Sequence, residues 1–184
     1  MADDDIRDAL TRLSWEQVTR QPPATPAAQV RFLLKRLGSA NAVAAALGVR
    51  PDSVRRYARG ARTPRGDIAA RIAGELRQHW QPLVRKRALD GARGGITVEC
   101  RAAFGYVSAP GSTDDWRYRR ITAKLDATDS GRLIDAFERG ANEKTLRAIV
   151  ADGIRHVYFQ DGGRRADDLR EVYFSDIDYI DFGT

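Results

Sequence analysis

The chain has 184 residues, 42% of them hydrophobic and 30% charged, with a formal net charge of +6 and one cysteine, Cys100. That length and composition allow one medium domain or two small ones with a real core, and they exclude a disordered chain and an internal disulfide. No stretch approaches the ~20 apolar residues that cross a bilayer, and the acidic opening "MADDDIRDAL" lacks the apolar run of a signal peptide, so the expectation is a cytoplasmic protein without a membrane partner.

In chain order, Ile6, Leu10 and Leu13 stand at helical spacing and predict a helix over 5–18, after which "RQPPATPA" reads as a proline-rich connector. Thr25 and Pro26 open the next helix as N-cap and first-turn proline. Val30, Leu33, Leu34 and Leu37 give it an apolar stripe, and Gly38 ends it. A further helix follows Thr63-Pro64, carries Ile68, Ile72 and Leu76, and runs to "HWQP", where Pro82 breaks it or starts a short successor. The "DGARGG" stretch, 90–95, reads as a domain boundary. Beyond it "GITVEC" and "FGYV" alternate like a hairpin and "RRITAKL" supplies another strand. Two helices follow, one with Leu133, Ile134 and Phe137, the other capped by Asn142 with Leu146, Ile149, Val150 and Ile154 facing one way. "QDGGRR" then turns the chain into a last strand, "REVYFSDIDYIDF". The expected fold class is α+β, divided into an N-terminal helix and linker (1–24), a basic helix-turn-helix domain (25–92) and a smaller α+β domain (95–184).

Charge separates the two halves. Residues 31–93 hold 15 basic side chains against 4 acidic ones, a net of +11, whereas residues 101–184 hold 13 against 15. A positive field this concentrated favours a polyanion over a small ligand. Inside the basic block, "ANAVAAALGVRPDSVRRYARG" has the pattern of a helix-turn-helix. Ala44 is the small residue where the helices cross, Gly48 supplies the left-handed turn, and Val43, Leu47, Val49, Val54 and Tyr57 face inward. The second helix would run from Pro51 to Arg59, with Gly60 as its C-terminal cap. It would then present Asp52, Ser53, Arg55, Arg56 and Arg59 to a DNA groove, flanked by Arg50 before it and by Arg62 and Arg65 beyond it for phosphates. An ordinary helical hairpin with an arginine-rich surface is the bland alternative, and the agreement of interior, glycine and outward arginines outweighs it.

Other chemistry is less well supported. Cys100 sits in an alternating strand and reads as a packed thiol. Zinc lacks a ligand set, because His79, His156 and Cys100 fall in three unrelated segments. Asp114, Asp115, Asp176 and Asp178 could hold Mg²⁺ for phosphoryl chemistry, but "SDIDYID" is also what a half-exposed edge strand looks like, and that reading is preferred. "DGGRR" could bind phosphate through backbone N–H groups, a plain turn being the simpler account. No metal site and no cofactor of the chain's own is therefore expected. The segment "SAPGSTDDWRYRR", 108–120, places two hydroxyls, Ser112 and Thr113, straight after the Pro110-Gly111 turn. It is either a capped turn or the presentation of a nucleophile, with Arg117, Arg119 and Arg120 following as candidate phosphate contacts.

From about residue 27 onward the motifs "AVAAALGV", "RYARG", "WQP", "RAAFGYVSAPGSTDD", "DGGRRA" and "DIDYI", in this order, resemble the Tpg-type terminal proteins, which cap the telomeres of linear chromosomes and plasmids in Streptomyces-type actinobacteria. The resemblance implies a protein primer for end patching. A side-chain hydroxyl receives the first deoxynucleotide, the protein stays covalently on the 5′ DNA end, and a DNA polymerase, with its own Mg²⁺, performs the transfer. It implies as partners telomeric DNA, both duplex and single-stranded 3′ overhang, a telomere-associated protein and the polymerase, with a nucleoid location at replicon ends. A homo-oligomer is left open. The family's acceptor threonine corresponds to Thr113, with the adjacent Ser112 as the alternative. The protein itself would not be an enzyme. The main rival reading is a helix-turn-helix transcriptional regulator with a C-terminal dimerisation or effector domain.

Overall fold

The computed structural model describes residues 5–107 and 117–184. In chain order these form α1 (Ile6–Glu16), α2 (Pro26–Leu37), α3 (Ala40–Leu47), α4 (Pro51–Ala58), α5 (Gly66–His79) and α6 (Pro82–Ala92). Then come β1 (Thr97–Val107), β2 (Arg117–Lys124), α7 (Ala127–Glu138), α8 (Glu143–Ile154), a π-helical turn (Arg155–Phe159) and β3 (Glu171–Gly183). The fold is α+β. Among the described residues no helix is long and apolar enough to cross a membrane.

Two compact units divide the chain, Val18–Val84 and the combination of Met1–Gln17 with Arg85–Thr184. This partition differs from one at residues 24 and 92–95. The first helix is not a separate arm, because Ile6, Leu10 and Leu13 are buried in the same core as the sheet. Likewise Leu89 and Ala92 of α6 belong to that core, which moves the boundary from the "DGARGG" stretch back to the first turn of α6.

In the Val18–Val84 unit, α2, α3, α4 and α5 enclose Val30, Leu33, Val43, Ala44, Leu47, Val54, Tyr57 and Ile72. The caps set the helix limits. The Thr25 hydroxyl accepts from Ala28 N–H at 3.3 Å, the Ser39 hydroxyl accepts from Ala42 N–H at 3.1 Å, and Gly38 ends α2 in the left-handed region.

In the other unit, β1 is the central strand of an antiparallel sheet ordered β2-β1-β3. One sheet face is apolar and carries Val98, Cys100, Ala102, Phe104, Ile121, Ala123, Ile177, Ile180 and Phe182; with α1, α7 and α8 it builds the core. The expected hairpin within 95–107 is instead one continuous strand. "RAA" between its two halves lacks the residues that adopt the positive φ of a tight hairpin turn, so the chain runs straight on. Its pairing with β3 shifts register twice, opposite Arg101/Ala102 and Ala103/Phe104. Accordingly the buried positions of β3 step from Ile180 to Ile177 to Phe174, in threes rather than twos.

Candidate nucleic-acid interface

The helix-turn-helix is built by two well-formed helix ends. Gly48 lies at φ +64°, its N–H bonds Ala45 O, and the next N–H, from Val49, bonds Ala44 O at 3.0 Å. This double closure satisfies the last carbonyls of α3 and turns the chain sharply into α4. The same pattern recurs after α4, where Gly60 N–H bonds Tyr57 O and Ala61 N–H bonds Arg56 O, each at 3.0 Å. Pro51 starts α4 at a position whose N–H would have no helical partner. Burial of Val54 and Tyr57 fixes the rotation of α4 about its axis. Arg31 Nη1 also donates to Ala58 O at 3.0 Å, anchoring the last turn of α4 from α2.

With that rotation fixed, Asp52, Arg55, Arg56 and Arg59 are exposed, Ser53 is half-buried, and Arg50, Arg62 and Arg65 are exposed on the flanks. The outward set is therefore brought together on and around one short helix, as the residue pattern requires. Within it Arg56 Nε meets Asp52 Oδ2 at 3.0 Å, one turn apart, and the Arg62 guanidinium lies 6.0 Å from the Tyr57 ring centroid. The Val18–Val84 unit carries 12 basic residues against 3 acidic ones, a net of +9, and the remainder of the chain nets −3.

Ser112, Thr113, Asp114 and Asp115 lie outside the described residues, in the connection 108–116 between the antiparallel neighbours β1 and β2. The arginines after it do not act as one group. Arg120 points to the open sheet face, where its Nη2 meets Glu99 Oε1 at 2.6 Å. Arg119, one residue earlier in the pleat, points to the other face and its Nε donates to Tyr106 Oη at 2.9 Å. Arg117, two residues from Arg119, is exposed at the start of β2. The period of two in a strand thus separates Arg120 from Arg117 and Arg119.

Other candidates have partners of their own. On the open sheet face Asp178 pairs with Arg101, and Asp176 accepts from the Tyr118 hydroxyl, a bond that pushes the phenol's pKa up. In the 161–165 turn the N–H groups of Gly163, Arg164 and Arg165 all bond Gln160 O, and that of Gly162 bonds His156 O. These donors face inward, so a backbone phosphate nest is not formed there. Burial pushes the Cys100 thiol up to about 11. Asp126, Asp129 and His156 bring one ligand atom each within 4.8 Å of one another, a grouping that 27 residues or more of separation hide from the sequence. Its carboxylates are nonetheless engaged, since Asp129 Oδ1 accepts from Arg132 at 2.9 Å and Asp126 caps α7 through Asp129 N–H. A guanidinium beside such a group opposes a second cation.

Comparison with known proteins finds no matching family model, and the curated proteins and solved structures give no match either.

Proposed function

We propose that this protein binds DNA through α4 and serves as the terminal protein of a linear replicon, with Thr113 as the hydroxyl that receives the first deoxynucleotide. The DNA-binding part is carried by one observation: α4 has a buried Val54–Tyr57 face and an outward arginine face, on a unit of net +9. Arginine is the side chain that serves both guanine edges and phosphate oxygens, and a helix of this kind after a glycine turn fits the major groove. The priming part is supported by the resemblance of "RAAFGYVSAPGSTDD" and "DIDYI" to terminal proteins.

In this reading the Thr113 oxygen attacks the α-phosphorus of a deoxynucleoside triphosphate. A Thr–O–P bond forms, the bond to the β-phosphate breaks, pyrophosphate leaves, and the hydroxyl proton passes to a base of the polymerase site. A threonine hydroxyl is a weak nucleophile near neutral pH, so it acts as a substrate of the polymerase, whose Mg²⁺ lowers the barrier to deprotonation. Nucleoid association at replicon ends follows from the covalent product. The test is labelling with a radioactive deoxynucleotide in the presence of polymerase, telomere-associated protein and telomeric template. Thr113→Ala abolishes the adduct, Thr113→Ser keeps part of it and Ser112→Ala keeps it. Full labelling of Thr113→Ala with loss in Ser112→Ala moves the acceptor by one residue, and full labelling of the double variant overturns the proposal.

A further inference from the structure

At the end of the sheet where β1 finishes and β2 begins, Tyr106, Arg119, Tyr158, Phe159, Arg165 and Leu169 line an open cleft of about 530 Å³. It lies wholly in the unit that nets −3 and takes no lining residue from the helix-turn-helix unit. Three aromatic rings form its wall. Phe159 packs edge-on against Tyr106 at 5.5 Å and against Tyr158 at 5.1 Å between centroids. Phe159 is the last residue of the π-helical turn, a rare conformation that recurs at functional sites, and Tyr158 before it is 36% exposed.

The two guanidiniums are held by neutral groups among the described residues. Arg119 lies 5.8 Å from the Tyr106 centroid and 5.9 Å from that of Phe159, besides its bond to the Tyr106 hydroxyl. Arg165 Nη2 donates to Tyr158 O at 3.0 Å. Among the described residues neither arginine has an ion-pair partner. Arg93, Arg101, Arg120, Arg132, Arg147 and Arg155 of the same unit are all paired with Asp or Glu. Neutral acceptors, the Tyr106 hydroxyl and Tyr158 O, orient Arg119 and Arg165 beside an exposed ring.

We propose that this cleft binds a nucleotide unit, with the base stacked on Tyr158 and the phosphate on Arg119 and Arg165. Aromatic faces accept any base, and planar guanidinium donors match phosphate oxygens; an acidic peptide would use the arginines but not the stacking wall. The volume lies in the range of small-ligand sites. The chemistry is shared by a free deoxynucleoside triphosphate and by one residue of a single strand. Its occupant would lie at the sheet end from which the Thr113 connection departs. That functional link rests on the acceptor reading above, whereas the nucleotide site does not.

The experiment is photo-cross-linking of the full chain with two probes, a short single strand carrying 5-iododeoxyuridine and the triphosphate of the same nucleoside, followed by peptide mapping. The expected adduct is on Tyr158 or Tyr106. It persists in Tyr158→Phe, falls roughly tenfold in Tyr158→Ala for loss of stacking, and falls similarly in Arg119→Gln with the circular dichroism spectrum unchanged. Adduct with the strand alone identifies a strand site, with the triphosphate alone an incoming-nucleotide site, and with both a shared one. Adducts confined to Val18–Val84, or none, overturn the proposal. Neither result alters labelling at Thr113, so the two ideas fail separately.

Discussion

Arg71 Nη1 donates to Leu47 O at 3.1 Å and, in doing so, passes 2.6 Å from where a Cβ on Gly48 would stand. Two effects therefore oppose a side chain at Gly48, the left-handed φ of +64° and the guanidinium. The φ is the larger, because the end of a flexible arginine can swing aside whereas the turn cannot change hand. Gly48→Ala is expected to destabilise the helix-turn-helix unit by ~1–2 kcal/mol, and Gly48→Asn by less. Urea unfolding measures both. Most of the alanine cost should remain in an Arg71→Ala background; its disappearance there would assign it to the collision.

DNA affinity should fall steeply with salt, with a log–log slope of about −0.9 for each duplex phosphate neutralised. Arg56, paired with Asp52 in the free protein, would read a base edge if the proposed DNA binding through α4 holds. Arg56→Ala should lose ~1–3 kcal/mol on the preferred sequence and relax the preference. Arg62→Ala, beyond the helix, should weaken all sequences alike. Competition titrations against mixed sequences at fixed salt decide it, and equal losses everywhere for both variants would reduce α4 to a backbone grip.

Arg93 bridges from the end of α6 to α7, with Nη1 2.5 Å from Asp135 Oδ1 and Nη2 2.7 Å from Glu138 Oε2. Its hydrogen bond holds the Asp135 carboxyl below the usual value. A carboxylate with a lowered folded pKa stabilises the fold above its unfolded pKa of about 4 and loses that contribution as the pH falls through the folded value. The gap in urea midpoint between wild type and Asp135→Asn should be largest at neutral pH and close on acidification. Because the carboxylate is exposed, the gap is small. A gap independent of pH would remove the ion pair from the account.

The Cys100 thiol, buried and raised to about 11, should resist iodoacetamide in the native protein near pH 8 and react fully in urea. The unfolded thiol ionises near pH 8.5, so between there and 11 the unfolded state alone loses the proton. Stability should fall as the pH rises through that window, and Cys100→Ala should remove this component of the alkaline loss.

Local signals were readable where local chemistry sets the structure. Thr25, Gly38, Gly48 and Asn142 cap or end helices through bonds to groups within a few residues, and the inward set of α4 repeats at helical spacing. What stayed hidden depends on distant partners. An apolar stripe on α1 says that a face is buried but not against what, and the proline-rich stretch after it suggests an independence that the core denies. Small residues at Ala102 and Ala103 hide the continuity of β1 in the sequence, and the two register shifts that break the alternation of β3 depend on its pairing with a strand some 75 residues away. The cleft of Tyr106, Arg119, Tyr158 and Arg165 has no sequence signature at all, since strand register and a π-helical turn bring it together.

The order in which the chain is made has a consequence for α1. Ile6 N–H bonds Glu143 Oε1 across 137 residues, and Arg12 Nη2 bonds Ile180 O across 168. During synthesis α1 thus emerges long before its partners, while everything that buries the helix-turn-helix core lies between Val18 and Val84. The nascent chain passes through a stage with the Val18–Val84 unit already complete and Ile6, Leu10 and Leu13 still bare. Closure of the second core waits on the last strand, so this half has the higher contact order and is the slower, more aggregation-exposed step of folding.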